Sequence, residues 1–147
     1  MDPSALPTPY PAELLYVLDD DGTIVENVEQ LAKSVVGRRI VETERRQVRR
    51  YEHIDGYFVE ALIITLDDGT EVRLKNTNDC CAYTELEEFL LHPDKVDHVI
   101  MGVGTTDYYT RWHIYADMGD VLDLTVGWSC GNPFYYGYGF DIDVVKP

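Results

Sequence analysis

The chain has 147 residues, of which 27 are Asp or Glu and 12 are Lys or Arg, giving a formal net charge of −15. That length suits one domain with its own core, and 45% hydrophobic with 27% charged residues excludes wholesale disorder. The acidic field disfavours direct binding to DNA or to an anionic membrane, while leaving basic protein partners and mimicry of nucleic acid open.

Residues 1–11 (MDPSALPTPYP) hold four of the seven prolines and read as a disordered or extended tail, with a single domain over 12–147. No basic and apolar leader pattern opens the chain, and runs such as Ala61 to Ile64 are too short to cross a bilayer. The cysteine count is odd, and Cys80 and Cys81 are adjacent, which strains any mutual disulfide. Reduced thiols and a cytoplasmic setting are therefore expected.

In chain order, Glu13 to Leu18 reads as a strand leading into the turn Asp19-Asp20-Asp21-Gly22. Aligned on Gly22, that turn fails as a calcium loop, because Val17 and Val28 would fall at ligand positions. From Glu26 to Val36, apolar Val28, Leu31, Ala32, Val35 and Val36 recur at helical spacing, with Gly37 as cap. Seven of the twelve basic residues lie between Lys33 and Arg50, against only Glu42 and Glu44; the other 129 residues hold 25 acids and five bases. This block (Arg38, Arg39, Arg45, Arg46, Arg49 and Arg50) reads as a strand pairing with Tyr57 to Leu66 in preference to a helix. Leu66-Asp67-Asp68-Gly69-Thr70 is a hairpin turn into Glu71 to Lys75. Thr84 with Glu87 fits a capping box, so a second helix is expected over Thr84 to Leu91. Strand-like runs follow at Val96 to Gly102, Tyr108 to Ala116, Val121 to Trp128 and Phe134 to Val145. In the second and third, Trp112, Ile114 and Ala116 alternate on one face, as do Leu122, Leu124 and Val126. The expected fold is α+β: an antiparallel meander of about six to eight strands, curved or barrel-like, with two short helices.

Between Gly37 and Val145 the order Gly37-Arg38-Arg39-Ile40, Leu66-Asp67-Asp68-Gly69-Thr70, Asp79-Cys80-Cys81, Trp112-His113-Ile114-Tyr115, Gly119-Asp120-Val121, Trp128 and Gly131-Asn132-Pro133-Phe134-Tyr135-Tyr136 is distinctive. It resembles a family of small uncharacterised proteins found mainly in bacteriophages and bacteria, a domain of unknown function. The resemblance implies a phage-borne, cytosolic, single-domain α/β protein and supplies no catalytic residues.

Asp79-Cys80-Cys81 lacks the two-to-four-residue spacing of a zinc pair, and neither Cys-x-x-Cys nor His-x-x-x-His occurs. No nucleophile and base are readable together, and His53, His92, His98 and His113 are scattered, so no metal, cofactor or enzymatic activity is expected. Two features remain. Arg45, Arg46, Arg49 and Arg50 can pair with neighbouring acids, hold an anion or nucleotide, or form an interface. Ten of the seventeen aromatics lie between Tyr108 and Phe140; most serve packing, but Tyr108, Tyr109, Tyr135, Tyr136 and Tyr138 are candidates for an exposed interface. The leading expectation is a small acidic binder of a protein partner, host-directed or self-associating. A sequestering protein for a nucleotide-like anion is the alternative, and a nucleic-acid mimic the third.

Overall fold

A computed structural model describes residues 9–16, 19–20, 22–51, 53–78, 81–129, 131 and 139–147. A helix α1 (Thr23–Val35) is followed by strands β1 (Ile40–Arg49), β2 (Phe58–Leu66), β3 (Glu71–Lys75), β4 (Thr77–Asn78) and β5 (Tyr83–Leu91), a short 3-10 turn at Pro93–Lys95, and β6 (Gly102–Thr106), β7 (Arg111–Ala116), β8 (Gly119–Ser129) and β9 (Asp141–Val145). The strands form two antiparallel sheets, β1-β2-β3-β9 and β4-β5-β8-β7-β6. The domain is thus α+β with nine strands among the described residues. The barrel-like closure expected from the sequence is corrected to two separate sheets.

One core joins the helix to both sheets. Ile24, Val28, Leu31 and Val35 of α1 meet Leu62, Ile64, Val72 and Leu74 of the first sheet and Trp112, Ile114, Leu122 and Leu124 of the second. The spacing of those α1 residues is the helical repeat read from the sequence, but the helix starts earlier than expected. The Asp20 carboxylate accepts the N–H groups of Gly22 (2.8 Å) and Ile24 (3.2 Å), so the acidic run opens a helix where the sequence suggested a turn after a strand. Residues 13–16 form no strand, and residues 17, 18 and 21 lie outside the described set.

The second expected helix is strand β5. Thr84 and Leu86 point inward while Glu85 is exposed, and the ladder pairs Thr84 with Trp128 and Leu86 with Val126. A bulge between Leu86 and Glu88 then resets the register, bringing Phe89 opposite Leu124. The capping pattern Thr84–Glu87 was coincidental: a fully buried place in a sheet outweighs local helix propensity.

The Leu66–Thr70 hairpin forms as read, closed by Gly69 N–H to Leu66 O at 2.9 Å. Of the arginine block, Arg45, Arg46 and Arg49 lie in β1, a strand as favoured, paired with β2 from Ile40–Leu66 to Arg49–Phe58, while Arg38, Arg39 and Arg50 flank it. The expected strand at Val96 to Gly102 begins only at Gly102. Trp112, Ile114 and Ala116 share the buried face of β7, and Leu122, Leu124 and Val126 that of β8. Among the described residues no helix is long and apolar enough to cross a membrane.

Candidate functional site

Because Trp112, Ile114 and Ala116 face inward, Arg111, His113 and Tyr115 occupy the other face of β7. Asp123 lies directly opposite His113 in the β7–β8 ladder. Asp120 is three residues from Asp123, which in a regular strand would place it on the opposite face. A bulge intervenes: Ile114 pairs with Leu122 but Tyr115 with Asp120, leaving Val121 as the extra residue. Both carboxylates therefore reach His113 Nδ1, Asp120 Oδ2 at 3.0 Å and Asp123 Oδ1 at 2.9 Å.

Each of the three is held from behind. His113 Nε2 and Thr106 Oγ1 are 2.7 Å apart, and the second Asp123 oxygen lies 2.7 Å from His92 Nε2 at the end of β5. The Tyr10 hydroxyl donates to the second Asp120 oxygen at 2.6 Å, and its ring stacks on His113 at 4.3 Å and 6°. Tyr10 comes this close because Gly104 carries no side chain; a Cβ there would overlap the tyrosine. Burial first, then contact with Asp123, raises the Asp120 carboxyl above the usual range. Burial pushes Asp123 the same way, but hydrogen bonds from Asp120, His92 and His113 outweigh it and hold this carboxyl low. Burial, aided by Asp120, raises the Tyr10 hydroxyl well above its ordinary value. A groove of about 170 Å³, lined by Glu88, Phe89, Leu90, Arg111, His113 and Asp123, opens beside the cluster.

This cluster is not legible in the sequence, because a strand period places Asp120 and Asp123 on opposite faces and a bulge has no dependable sequence signature. A hint lay in Tyr115-Ala116-Asp117-Met118-Gly119-Asp120, a hairpin turn at which irregular pairing is common.

The candidate arginines are dispersed over the first sheet. Arg45 reaches across to the second, donating to the carbonyls of Leu86 (3.3 Å) and Glu87 (2.7 Å) at the β5 bulge, with its guanidinium over Phe89. Arg46 pairs with Glu44 and with Glu71 (3.4 Å), and Arg49 with Asp55 (3.0 Å). Arg50 lies over the ring of Tyr51. On the outer face Arg46, Arg73 and Lys75 lie in register with Ala61 and Ile63, so their alkyl stems shelter a small second cluster of Val48, Ala61 and Ile63. Lys75 is 4% exposed and pairs with Asp143 at 2.7 Å and Asp141 at 3.3 Å.

Glu71 is central to this face, accepting from Arg73 Nη2 at 2.7 Å. That hydrogen bond, opposed by burial and helped by the Arg73 and Arg46 charges, lowers its carboxyl from the ordinary 4.5. A lowered acid contributes stability above its unfolded value and loses it as pH falls through the lower folded one. Glu71→Gln is expected to cost about 0.5–1 kcal/mol at pH 7. Urea midpoints of the two proteins should then converge as pH is lowered below 4.5. A gap that is the same at pH 7 and pH 3 would refute the assignment.

Of the candidate aromatics, Tyr109 is buried, while Tyr108 stacks on Trp128 and donates to Asp19 at 2.7 Å. Tyr135, Tyr136 and Tyr138 lie outside the described residues, as do Cys80 and Cys130. Asp107, Tyr108 and Tyr109 form a left-handed turn, with φ of 56°, 57° and 59°. Non-glycine residues rarely string together in this region. The Glu13 carboxylate clamps the turn, accepting the N–H groups of Tyr108 (2.7 Å) and Tyr109 (2.8 Å). Tyr109 and Tyr108 thus serve the attachment of the N-terminal segment.

The large apolar side chains that do face solvent together are elsewhere, at the tip of the β1–β2 hairpin. Tyr51 is 49% exposed, Ile54 47%, Tyr57 60% and Phe58 58%, flanked by Arg49 and Arg50. The Tyr51 and Tyr57 rings meet edge to face at 6.4 Å.

No curated protein and no solved structure matches this chain. A family model described as a domain of unknown function, DUF7448, matches residues 33–142. The match spans the arginine strand, the β1–β2 and Leu66–Thr70 hairpins and the His113–Asp120–Asp123 cluster, and the chain belongs to the DUF7448 family.

Proposed function

We propose that this is a phage-type cytoplasmic protein without catalytic activity that binds a protein partner through the tip of the β1–β2 hairpin. The exposure of Tyr51, Ile54, Tyr57 and Phe58 beside Arg49 and Arg50 carries the reading. Aromatics and arginine are the residue types enriched where interfaces concentrate their energy, and lysine and glutamate the types depleted there. The tip sets its aromatics beside Arg49, which pairs with Asp55, and Arg50, so the complementary surface has an apolar centre that receives the rings. A second copy presents the same exposed rings, which keeps self-association within the proposal.

The nucleotide-sequestering alternative is less well supported, because Arg45, Arg46 and Arg49 already face carboxylates that a phosphate would have to displace. The test compares the native chain with Tyr57→Ser/Phe58→Ser, both immobilised in host lysate, alongside sedimentation of each across concentration. Loss of two central aromatics is expected to weaken binding at least about tenfold. Capture by the native chain alone, or native self-association abolished in the variant, supports the reading. Equal recovery by both, or no species above a charge-matched control with a monomer at every concentration, would overturn it.

A further inference from the structure

We infer that His113, Asp120 and Asp123 form a binding site for a first-row divalent transition-metal ion such as Zn2+ or Mn2+. One imidazole nitrogen and two carboxylate oxygens lie within 4.8 Å of one another on one face of β7 and β8. The Nδ1–oxygen separations of 3.0 and 2.9 Å are hydrogen-bond distances that also fall within the spacing of ligands on one ion: ligands bound at about 2.1 Å sit roughly 3.0 Å apart at right angles and about 3.4 Å apart in a tetrahedron. Little rearrangement is needed for the three atoms to turn onto a common ion.

The surroundings match those of a metal centre as well. Ligating imidazoles and carboxylates are ordinarily oriented by partners on their far atoms. Here all three have one: Thr106 on His113 Nε2, His92 on the second oxygen of Asp123, and Tyr10 on the second oxygen of Asp120. These partners come from β6, from the end of β5 and from the N-terminal segment, so three further stretches of chain converge on the cluster that β7 and β8 carry. A surface ion pair has no need of such support; the His98–Asp117 pair, at 2.8 Å, shows none among the described residues.

The donor set decides the class of ion. An imidazole nitrogen disfavours Ca2+ and Mg2+, which take oxygen ligands, while mixed nitrogen and carboxylate suits Zn2+, Mn2+ or Fe2+. Three protein ligands leave coordination positions for water, which the groove beside His113 and Asp123 admits. The bulge at Val121 makes all this possible, since without it Asp120 would face the core.

The site is tested by calorimetric titration of the full chain with Zn2+ and, separately, Mn2+, with Mg2+ as comparator. One equivalent is expected, with Mg2+ at least tenfold weaker. Asp120→Asn/Asp123→Asn should weaken binding at least a hundredfold and His113→Gln at least tenfold, whereas His98→Ala should leave it unchanged. Circular dichroism establishes that each variant is folded. Should the double variant not fold, Mn2+ broadening of imidazole resonances in the native chain decides: loss of the His113 and neighbouring His92 signals ahead of those of His53 and His98 supports the site. No binding of either ion, binding undiminished in a folded variant, or broadening centred on His98 would overturn it. The hairpin variant Tyr57→Ser/Phe58→Ser should bind metal normally, so this result stands apart from that of the partner experiment.

Discussion

Replacing Asn27 with aspartate is expected to destabilise the protein by about 2–4 kcal/mol at neutral pH, although the two side chains have nearly the same shape. Asn27 lies on α1, buried, and its amide copies a strand edge: Nδ2 donates to Phe140 O at 2.9 Å and Oδ1 accepts the Phe140 N–H at 2.9 Å. This pair ties the helix to the chain just before β9, 113 residues away. The amide reaches the backbone because residue 139 is glycine; a Cβ there would overlap the Asn27 side chain. In Asn27→Asp the N–H keeps an acceptor, but the Phe140 carbonyl loses its donor and faces a buried negative charge. Protonation restores an O–H donor, so the neutral acid is preferred in the fold and its folded pKa is raised. Stability is then regained as pH falls through that raised value, and the deficit against the native chain narrows. Asn27→Ala loses both hydrogen bonds and has no such recovery. Urea denaturation at several pH values separates the two. A loss under 1 kcal/mol for both variants at neutral pH would mean that the Asn27–Phe140 pair does not anchor β9.

Asn27 also shows where reading the sequence stopped. The apolar repeat of Val28, Leu31 and Val35 identified a helix, because burial at helical spacing is a local property of the chain. Nothing local distinguishes Asn27, at the margin of that repeat, from a solvent-facing residue. Its role exists only once Phe140 is brought alongside. The same holds for His113, Asp120 and Asp123, which a bulge assembles, and for Tyr10, which was assigned to a proline-rich tail yet stacks on a histidine more than a hundred residues away. Strand β5 erred in the other direction: its local signal was for a helix, and pairing with β8 overrode it. The hairpin at Asp67-Asp68-Gly69 was legible because turn chemistry is local.

The basic block was visible from composition, and its explanation is a matter of sheet register. Cross-strand neighbours put Arg46 beside Ala61 and Lys75, and Ile63 beside Arg73, so positive side chains lie in rows over a small apolar floor. The carboxylates of Glu44, Glu71, Asp141 and Asp143 alternate with them. Such rows are stable because opposite charges directly across a sheet attract and long stems cover apolar atoms. Charge concentrated in sequence is thereby dispersed in space, which weakens its value as a mark of phosphate binding. What remains unpaired in kind, though not in charge, is the aromatic tip where the hairpin leaves the sheet.

The largest single loss is expected from Trp112→Ala, about 3–5 kcal/mol, against the 5–15 kcal/mol that a domain of this kind holds in total. Trp112 is fully buried between the sheets, meeting Phe140 edge to face with centroids 5.4 Å apart. Its Nε1–H donates to Tyr109 O at 2.8 Å, so the same residue fills the core and steadies the left-handed turn at Asp107–Tyr109. Trp112→Phe separates the two roles. The smaller ring retains much of the packing but leaves the Tyr109 carbonyl without that donor, costing roughly 1–3 kcal/mol. The turn also depends on the Glu13 carboxylate, so loosening it should free the N-terminal segment that brings Tyr10 to Asp120. Limited proteolysis of Trp112→Phe should therefore cleave first within residues 9–16, before global unfolding, while urea denaturation gives the total loss. Cleavage beginning elsewhere, or a Trp112→Ala protein within about 1 kcal/mol of the native chain, would contradict the placement of this side chain at the junction of core and turn.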